Sequence, residues 1–142
     1  MIYNGPMKSG LALACFVVAA LPVAASGPGG KKPALELRSS PRFGFSPLNV
    51  LFVLELKGGD ETEEYYCPGV EWFWDDGGKS EKEADCPPFE PGVTKIDRRF
   101  TAEHAFSRAG MYSVRVTLLH SGHIVAKQST EVTVRPGLDD TQ

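Results

Sequence analysis

Between Leu48 and Leu56 every second residue is apolar: Leu48, Val50, Phe52, Leu54 and Leu56. Asn49, Glu55 and Lys57 stand among the intervening positions. Successive side chains of an extended backbone point to opposite faces, so this period of two marks an antiparallel strand with one buried face. Leu51 and Val53 interrupt the polar side, and part of that face is expected to be covered as well. The pattern returns where Tyr112, Val114, Val116 and Leu118 alternate with Ser113, Arg115 and Thr117. It returns again with Ile124, Ala126, Val132 and Val134 on one side and Lys127, Glu131, Thr133 and Arg135 on the other. His120-Ser121-Gly122 joins these two runs as a tight hairpin, its Gly supplying the positive φ such turns often need.

Three more segments read as strands. Ala34–Arg38 alternates Leu35 and Leu37 with Glu36 and Arg38 and ends at Ser39-Ser40-Pro41. Val70, Trp72 and Trp74 alternate with Glu71, Phe73 and Asp75 until Asp76-Gly77-Gly78 halts them. Ile96 to Phe106 is weaker, with Phe100, Ala102, His104 and Phe106 on one side. Residues 79–92 lack clean periodicity and hold Pro87, Pro88 and Pro91, so they read as a long loop. No segment carries a convincing helical period. Fifteen Gly and eleven Pro suit a chain with many turns. The expectation is one all-β domain over residues 33–136, with about seven strands in two antiparallel sheets packed face to face.

The segment before that domain looks like a targeting signal. Lys8 precedes an apolar run from Leu11 to Val23, and the small residues Ala24, Ala25 and Ser26 follow. This is the order of a secretory signal peptide, expected over residues 1–25 with cleavage before Ser26. Met7-Lys8 already supplies the charged start, and the six residues before it add nothing. The run is broken by Pro22 and is shorter than the roughly 20 apolar residues of a spanning helix, so an integral membrane protein is not expected. Residues 26–32 have the Gly-Pro-Gly-Gly-Lys-Lys composition of a flexible linker, and 137–142 read as a tail.

Export decides how the cysteines are understood. Cys15 leaves with the signal, and Cys67 and Cys86 remain in an oxidising compartment, periplasmic or extracellular. Two cysteines allow one bridge within the chain, so Cys67–Cys86 is the expected disulfide. Closing a loop of that length stabilises a fold by about 3 kcal/mol. A zinc site is the competing reading, but the chain has no C-x-x-C and its histidines lie elsewhere.

The formal charge of −3 is small, so nothing in the total argues for nucleic acid as a partner. Its distribution is uneven. Residues 60–90 hold eleven carboxylates against Lys79 and Lys82, while basic residues exceed acidic ones in the rest of the mature chain.

In sequence the chain resembles the polycystic-kidney-disease (PKD) repeat domains. That family shows an aromatic strand ending in W-x-F-G-D-G, and here Trp72-Phe73-Trp74-Asp75-Asp76-Gly77 occupies the frame. It then shows H-x-[YF] before P-G-x-Y-x-V, matched by His104-Ala105-Phe106 and Ala109-Gly110-Met111-Tyr112-Ser113-Val114. A last T-V-x-V-like strand is matched by Glu131-Val132-Thr133-Val134, and Ser46-Pro47-Leu48-Asn49-Val50 resembles the family's opening segment. Asp75 stands where Gly is usual and Trp74 where Phe is usual; Asp adopts left-handed geometry at modest cost. The resemblance implies an immunoglobulin-like β-sandwich that serves as a spacer or contact module rather than a catalyst. It places Trp72, Trp74, His104 and Tyr112 among the structural residues.

Trp72 and Trp74 could stack on sugar rings, but they share the expected inward face and read as core. Phe73, on the other face, is the better ligand-facing aromatic, or a cover for the disulfide loop. Asp75 and Asp76, with Glu81, Glu83 and Asp85, are weak calcium candidates, because their spacing departs from D-x-[DN]-x-[DN]-G with Glu at position twelve. The plainer reading is a turn cap beside a solvated acidic loop. His120 and His123 flank a hairpin tip, and His104 is expected to make an orienting hydrogen bond between strands. No Ser, Cys or His forms a recognisable nucleophile set. The expected function is an exported, non-catalytic module that contacts a protein or an envelope polysaccharide without a cofactor. A calcium-dependent adhesive module and a small hydrolase are the alternatives.

Overall fold

A computed structural model describes residues 29–138, together with Gly5 and Gly10. The expected signal peptide lies outside the described residues apart from those two glycines. Eight strands follow in order: β1 Ala34–Ser40, β2 Phe43–Phe45, β3 Leu48–Lys57, β4 Gly69–Phe73, β5 Lys79–Lys82, β6 Arg99–Phe106, β7 Gly110–His120 and β8 His123–Arg135. One 3-10 turn, Glu63–Tyr65, interrupts the β3–β4 connection. The strands form a three-stranded sheet ordered β1-β3-β6 and a five-stranded sheet ordered β2-β8-β7-β4-β5. This is an immunoglobulin-like β-sandwich.

Alternation in the chain becomes burial in the fold. Val50, Phe52, Leu54 and Leu56 of β3 face Val114, Val116 and Leu118 of β7 across the core, all of them buried. Phe52 is fully buried and packs its ring against Trp72, Trp74 and Phe106. Leu51, on the opposite face of β3, stays exposed and Val53 is half-buried.

The structure differs from the sequence reading at four elements. β2 was not expected. It pairs with β8 in parallel, Phe43 opposite Thr133 and Phe45 opposite Arg135, so the second sheet is not wholly antiparallel. β5 lies in residues read as loop. It is an edge strand paired to β4 alone, and its four residues are all exposed, so no apolar period marks it. β6 begins at Arg99 rather than Ile96. Ile96 is buried, but its amide donates to the Glu61 carboxylate (2.6 Å) instead of joining a ladder. In β8, Ile124 does not share the inward face of Val132 and Val134. A register shift between Leu118 and Leu119 leaves Ile124 exposed and half-buries Val125 instead. An extra residue in one strand reverses which face the following side chains take.

Both ends of the domain are tied in. The Lys31 amide donates to Asp60 Oδ2 (2.7 Å) and the Asp60 amide donates to the Lys31 carbonyl (2.8 Å), within the segment expected to be linker. At the other terminus the Gly137 amide donates to Ser46 Oγ (2.9 Å). A Cβ on Gly137 would lie 2.0 Å from the Ser46 carbonyl oxygen, so this close approach requires glycine.

Candidate functional site

Strand β4 and the turn after it bring most of the singled-out residues together. β4 turns Val70 and Trp72 into the core, and the next inward position, Trp74, begins the turn. Trp72 and Trp74 are 4% and 2% exposed. Their rings stack 5.6 Å apart and nearly parallel. Trp74 then stacks on the His104 imidazole, with centroids 4.3 Å apart and planes 3° from parallel. The His104 edge meets Phe106, and Phe106 stacks on Tyr112 at 4.4 Å. Five aromatic rings thus run in one column between the sheets, His104 and Phe106 coming from β6 and Tyr112 from β7. The Tyr112 hydroxyl donates to the Arg108 carbonyl (2.7 Å), pinning the β6–β7 corner.

The turn itself is held by its two aspartates. Asp75 takes φ 64°, the left-handed conformation, and Gly77 takes φ 91°. Asp75 Oδ2 accepts the Ser113 amide of β7 (2.9 Å), and Asp76 Oδ1 accepts the Gly78 amide (2.9 Å). Asp76 Oδ2 lies 2.6 Å from His104 Nε2, so the turn of one sheet is bonded to a strand of the other. Trp74 Nε1 donates to Ser80 Oγ (3.0 Å). Partial burial pushes the Asp76 carboxyl upward, but the His104 contact and the Gly78 amide outweigh it and hold the group below the usual range.

These bonds bear on the calcium reading. The Asp75 and Asp76 oxygens face amide and imidazole donors, Glu81 is paired with Lys79, and Glu83 and Asp85 lie on exposed backbone beyond β5. Among the described residues, no three His, Cys, Asp or Glu side chains converge as a metal site. The hydrolase reading needs a nucleophile beside a base. Among the described residues, no hydroxyl or thiol is hydrogen-bonded to His104, and His120 and His123 sit opposite one another at the hairpin mouth.

The second region is the disulfide loop at the other end of the sandwich. Cys67 and Cys86 are bridged, with Cα atoms 6.3 Å apart. Tyr66 reinforces the tie: its hydroxyl donates to the Pro87 carbonyl (2.8 Å) and its ring packs on Phe89 at 5.5 Å. A groove of about 510 Å³ opens beside the bridge, between the edge strands β5 and β6, with Trp72, Phe100 and Ala102 in its lining.

A third region escaped the sequence reading. On the outer face of the five-stranded sheet, Phe43, Phe45 and Met111 are 53%, 62% and 71% exposed. Phe43, Thr133 and Met111 stand in one row across β2, β8 and β7. The Arg135 guanidinium lies over the Phe43 ring (5.7 Å), and Arg115 lies over Phe73 (4.8 Å). Phe73 is therefore under an arginine and remote from the disulfide loop. The available signal was Arg42-Phe43-Gly44-Phe45, an aromatic and basic run between two prolines.

Neither a family model nor a curated protein sequence matches the chain. Among solved structures it is similar to the PKD domain of M14-like peptidase from Thermoplasmatales archaeon SCGC AB-540-F20, at 15% identity and a TM-score of 0.51. The match covers 75% of this chain and 98% of that one. The likeness carries the fold, and on it the chain is an immunoglobulin-like β-sandwich similar to a PKD domain.

Proposed function

We propose that the chain is an exported, non-catalytic module of PKD type, which binds or spaces by contact with a protein or an envelope polysaccharide. One observation carries the reading: Asp75, Asp76 and His104, the residues best equipped for chemistry, are engaged in holding a turn against the opposite sheet. Side chains committed to fold geometry in this way leave a scaffold whose surface does the work. The Cys67–Cys86 bridge supports an oxidising compartment. No helix among the described residues is long and apolar enough to cross a membrane.

Two measurements test the reading. Intact mass and thiol labelling of the exported protein should give a chain starting at or near Ser26 without a reactive thiol. Two reactive cysteines in the native sample, or a retained apolar leader, would remove the export argument. Immobilised mature protein should retain a component of the cell envelope. Failure to retain either protein or polysaccharide, together with turnover of an ester or peptide substrate, would favour a hydrolase instead.

A further inference from the structure

The chain has seven arginines, and they divide by sheet. Arg38, Arg98 and Arg99, on and beside the three-stranded sheet, each pair with a carboxylate. Arg42, Arg108, Arg115 and Arg135 form no ion pair among the described residues; the register places Arg115 and Arg135 on the outer face of the five-stranded sheet, while Arg42 precedes β2 and Arg108 lies in the β6–β7 corner. Arg115 and Arg135 each lie over a phenylalanine ring and are exposed. Glu131, opposite Ser113, and Glu71, opposite Thr117, are carboxylates that the register places on this face, and Asp75 at the margin is tied to the Ser113 amide.

Exposed apolar side chains clustered on a monomer mark an interaction site. Here they are Phe43, Phe45 and Met111, with Arg135 beside them, while Lys79 stands with Arg115 across Phe73 at the far end of the face. Protein interfaces are enriched in aromatic residues, Met and Arg, which are the residues at this patch. An arginine without a partner presents a planar fork suited to a carboxylate. We propose that this face docks an acidic protein surface, with Phe43, Phe45 and Met111 as apolar anchors and Arg115 and Arg135 receiving the partner's carboxylates. The proposal rests on the binding-module reading above. A second copy meeting through the same face would set arginine against arginine, which charge disfavours. The competing occupant within the chain is Asp139-Asp140, beyond the described residues.

The test is a titration of the full mature chain, followed by amide NMR, with a seven-residue peptide alternating Glu with Leu and Phe. Saturable shifts are expected at Phe43–Phe45, Met111, Thr133 and Arg135. Replacing the peptide's Glu by Gln should weaken binding about tenfold, and Arg115→Gln with Arg135→Gln should do the same at an unchanged melting temperature. Four results would overturn the proposal: no saturable shift, equal shifts with polygalacturonate, the same shifts on concentrating the protein alone, or binding that appears only after residues 139–142 are removed. The underlying reading is separated by envelope retention. If the wild type and the Phe43→Glu/Phe45→Glu variant are retained equally, this face is not the site and the module reading stands. If the wild type is not retained, that reading fails.

Discussion

The turn at residues 74–78 and the connection at residues 83–98 flank the same short edge strand, and both are acidic, yet they are ordered by different means. In the turn, the carboxylates supply the order: Asp75 and Asp76 accept two amides, and Asp76 also meets His104. In the longer connection, the carboxylates of Glu83, Asp85 and Glu90 make no hydrogen bond or ion pair among the described residues. That segment is held by the Cys67–Cys86 bridge, the Tyr66 contacts with Pro87 and Phe89, and the Glu90 amide donating to Thr94 Oγ1 (2.8 Å). Its last residues are held by the buried Ile96 and by Glu61, which accepts the Ile96 amide and pairs with Arg98. A five-residue turn brings a side chain back onto its own backbone at little entropic cost. A longer segment with few apolar residues cannot bury enough surface to order itself, and a covalent tie offsets that deficit. Like charge in the sequence therefore says little about role; the distance to a donor decides it.

Trp74→Ala strikes the turn hardest. It removes a buried ring that stacks on both Trp72 and His104, and a loss of about 3–5 kcal/mol is expected in chemical denaturation. A loss near that of an exposed site would mean that the turn is not anchored in the core.

Removing the disulfide with Cys67→Ser and Cys86→Ser should cost about 3 kcal/mol. Hydrogen exchange should rise across residues 83–98 while residues 74–78 keep their protection. Equal loosening of both segments would mean that the bridge orders the turn and the connection alike.

Asp76→Asn is expected to cost about 1–3 kcal/mol at neutral pH, since it weakens charge-assisted hydrogen bonds. The acid limb gives a second readout. The native carboxyl is held below its unfolded value, so its contribution is complete above about pH 4 and lost as pH falls through the native pKa. The variant should therefore lose less stability between neutral and acid pH than the wild type. Parallel acid limbs would show that Asp76 carries no such linkage.

The smallest effect is expected in the loop. Glu83→Gln with Asp85→Asn should change stability by less than about 0.5 kcal/mol, as at other exposed sites. Calcium and magnesium at matched ionic strength should raise the melting temperature equally and slightly. A shift of several degrees with calcium alone, abolished by Asp76→Asn, would make the turn a metal site and reverse the comparison.

Much of the sandwich was legible before any coordinates. In β3, β4 and β7 the alternating apolar residues are the buried ones, because each strand has one face on the core; Thr117, on the polar side of β7, is buried as well and is the exception. The hairpin at Ser121 and Gly122, with φ of 49° and 78°, was legible for the same local reason. β2 and β5 were not. Both are edge strands with little or nothing buried, and a strand without a covered face leaves no period in the sequence.

The candidate site divides along the same line. Trp72 and Trp74 could be placed inward from their spacing alone, since two residues apart on a strand means one face. That Asp76 would meet His104, 28 residues away, depends on how the two sheets are laid across each other. The exposure of Phe43 and Phe45 depends on β2 pairing with the last strand, about ninety residues later, with their side chains turned to solvent. The face of Ile124 turned on one bulge. Sequence periodicity by itself determined which faces seek the core, because burial of one face is a local constraint written every second residue. Only the tertiary structure decided which edges, turns and arginines meet, because those contacts join segments whose separation along the chain carries no such record.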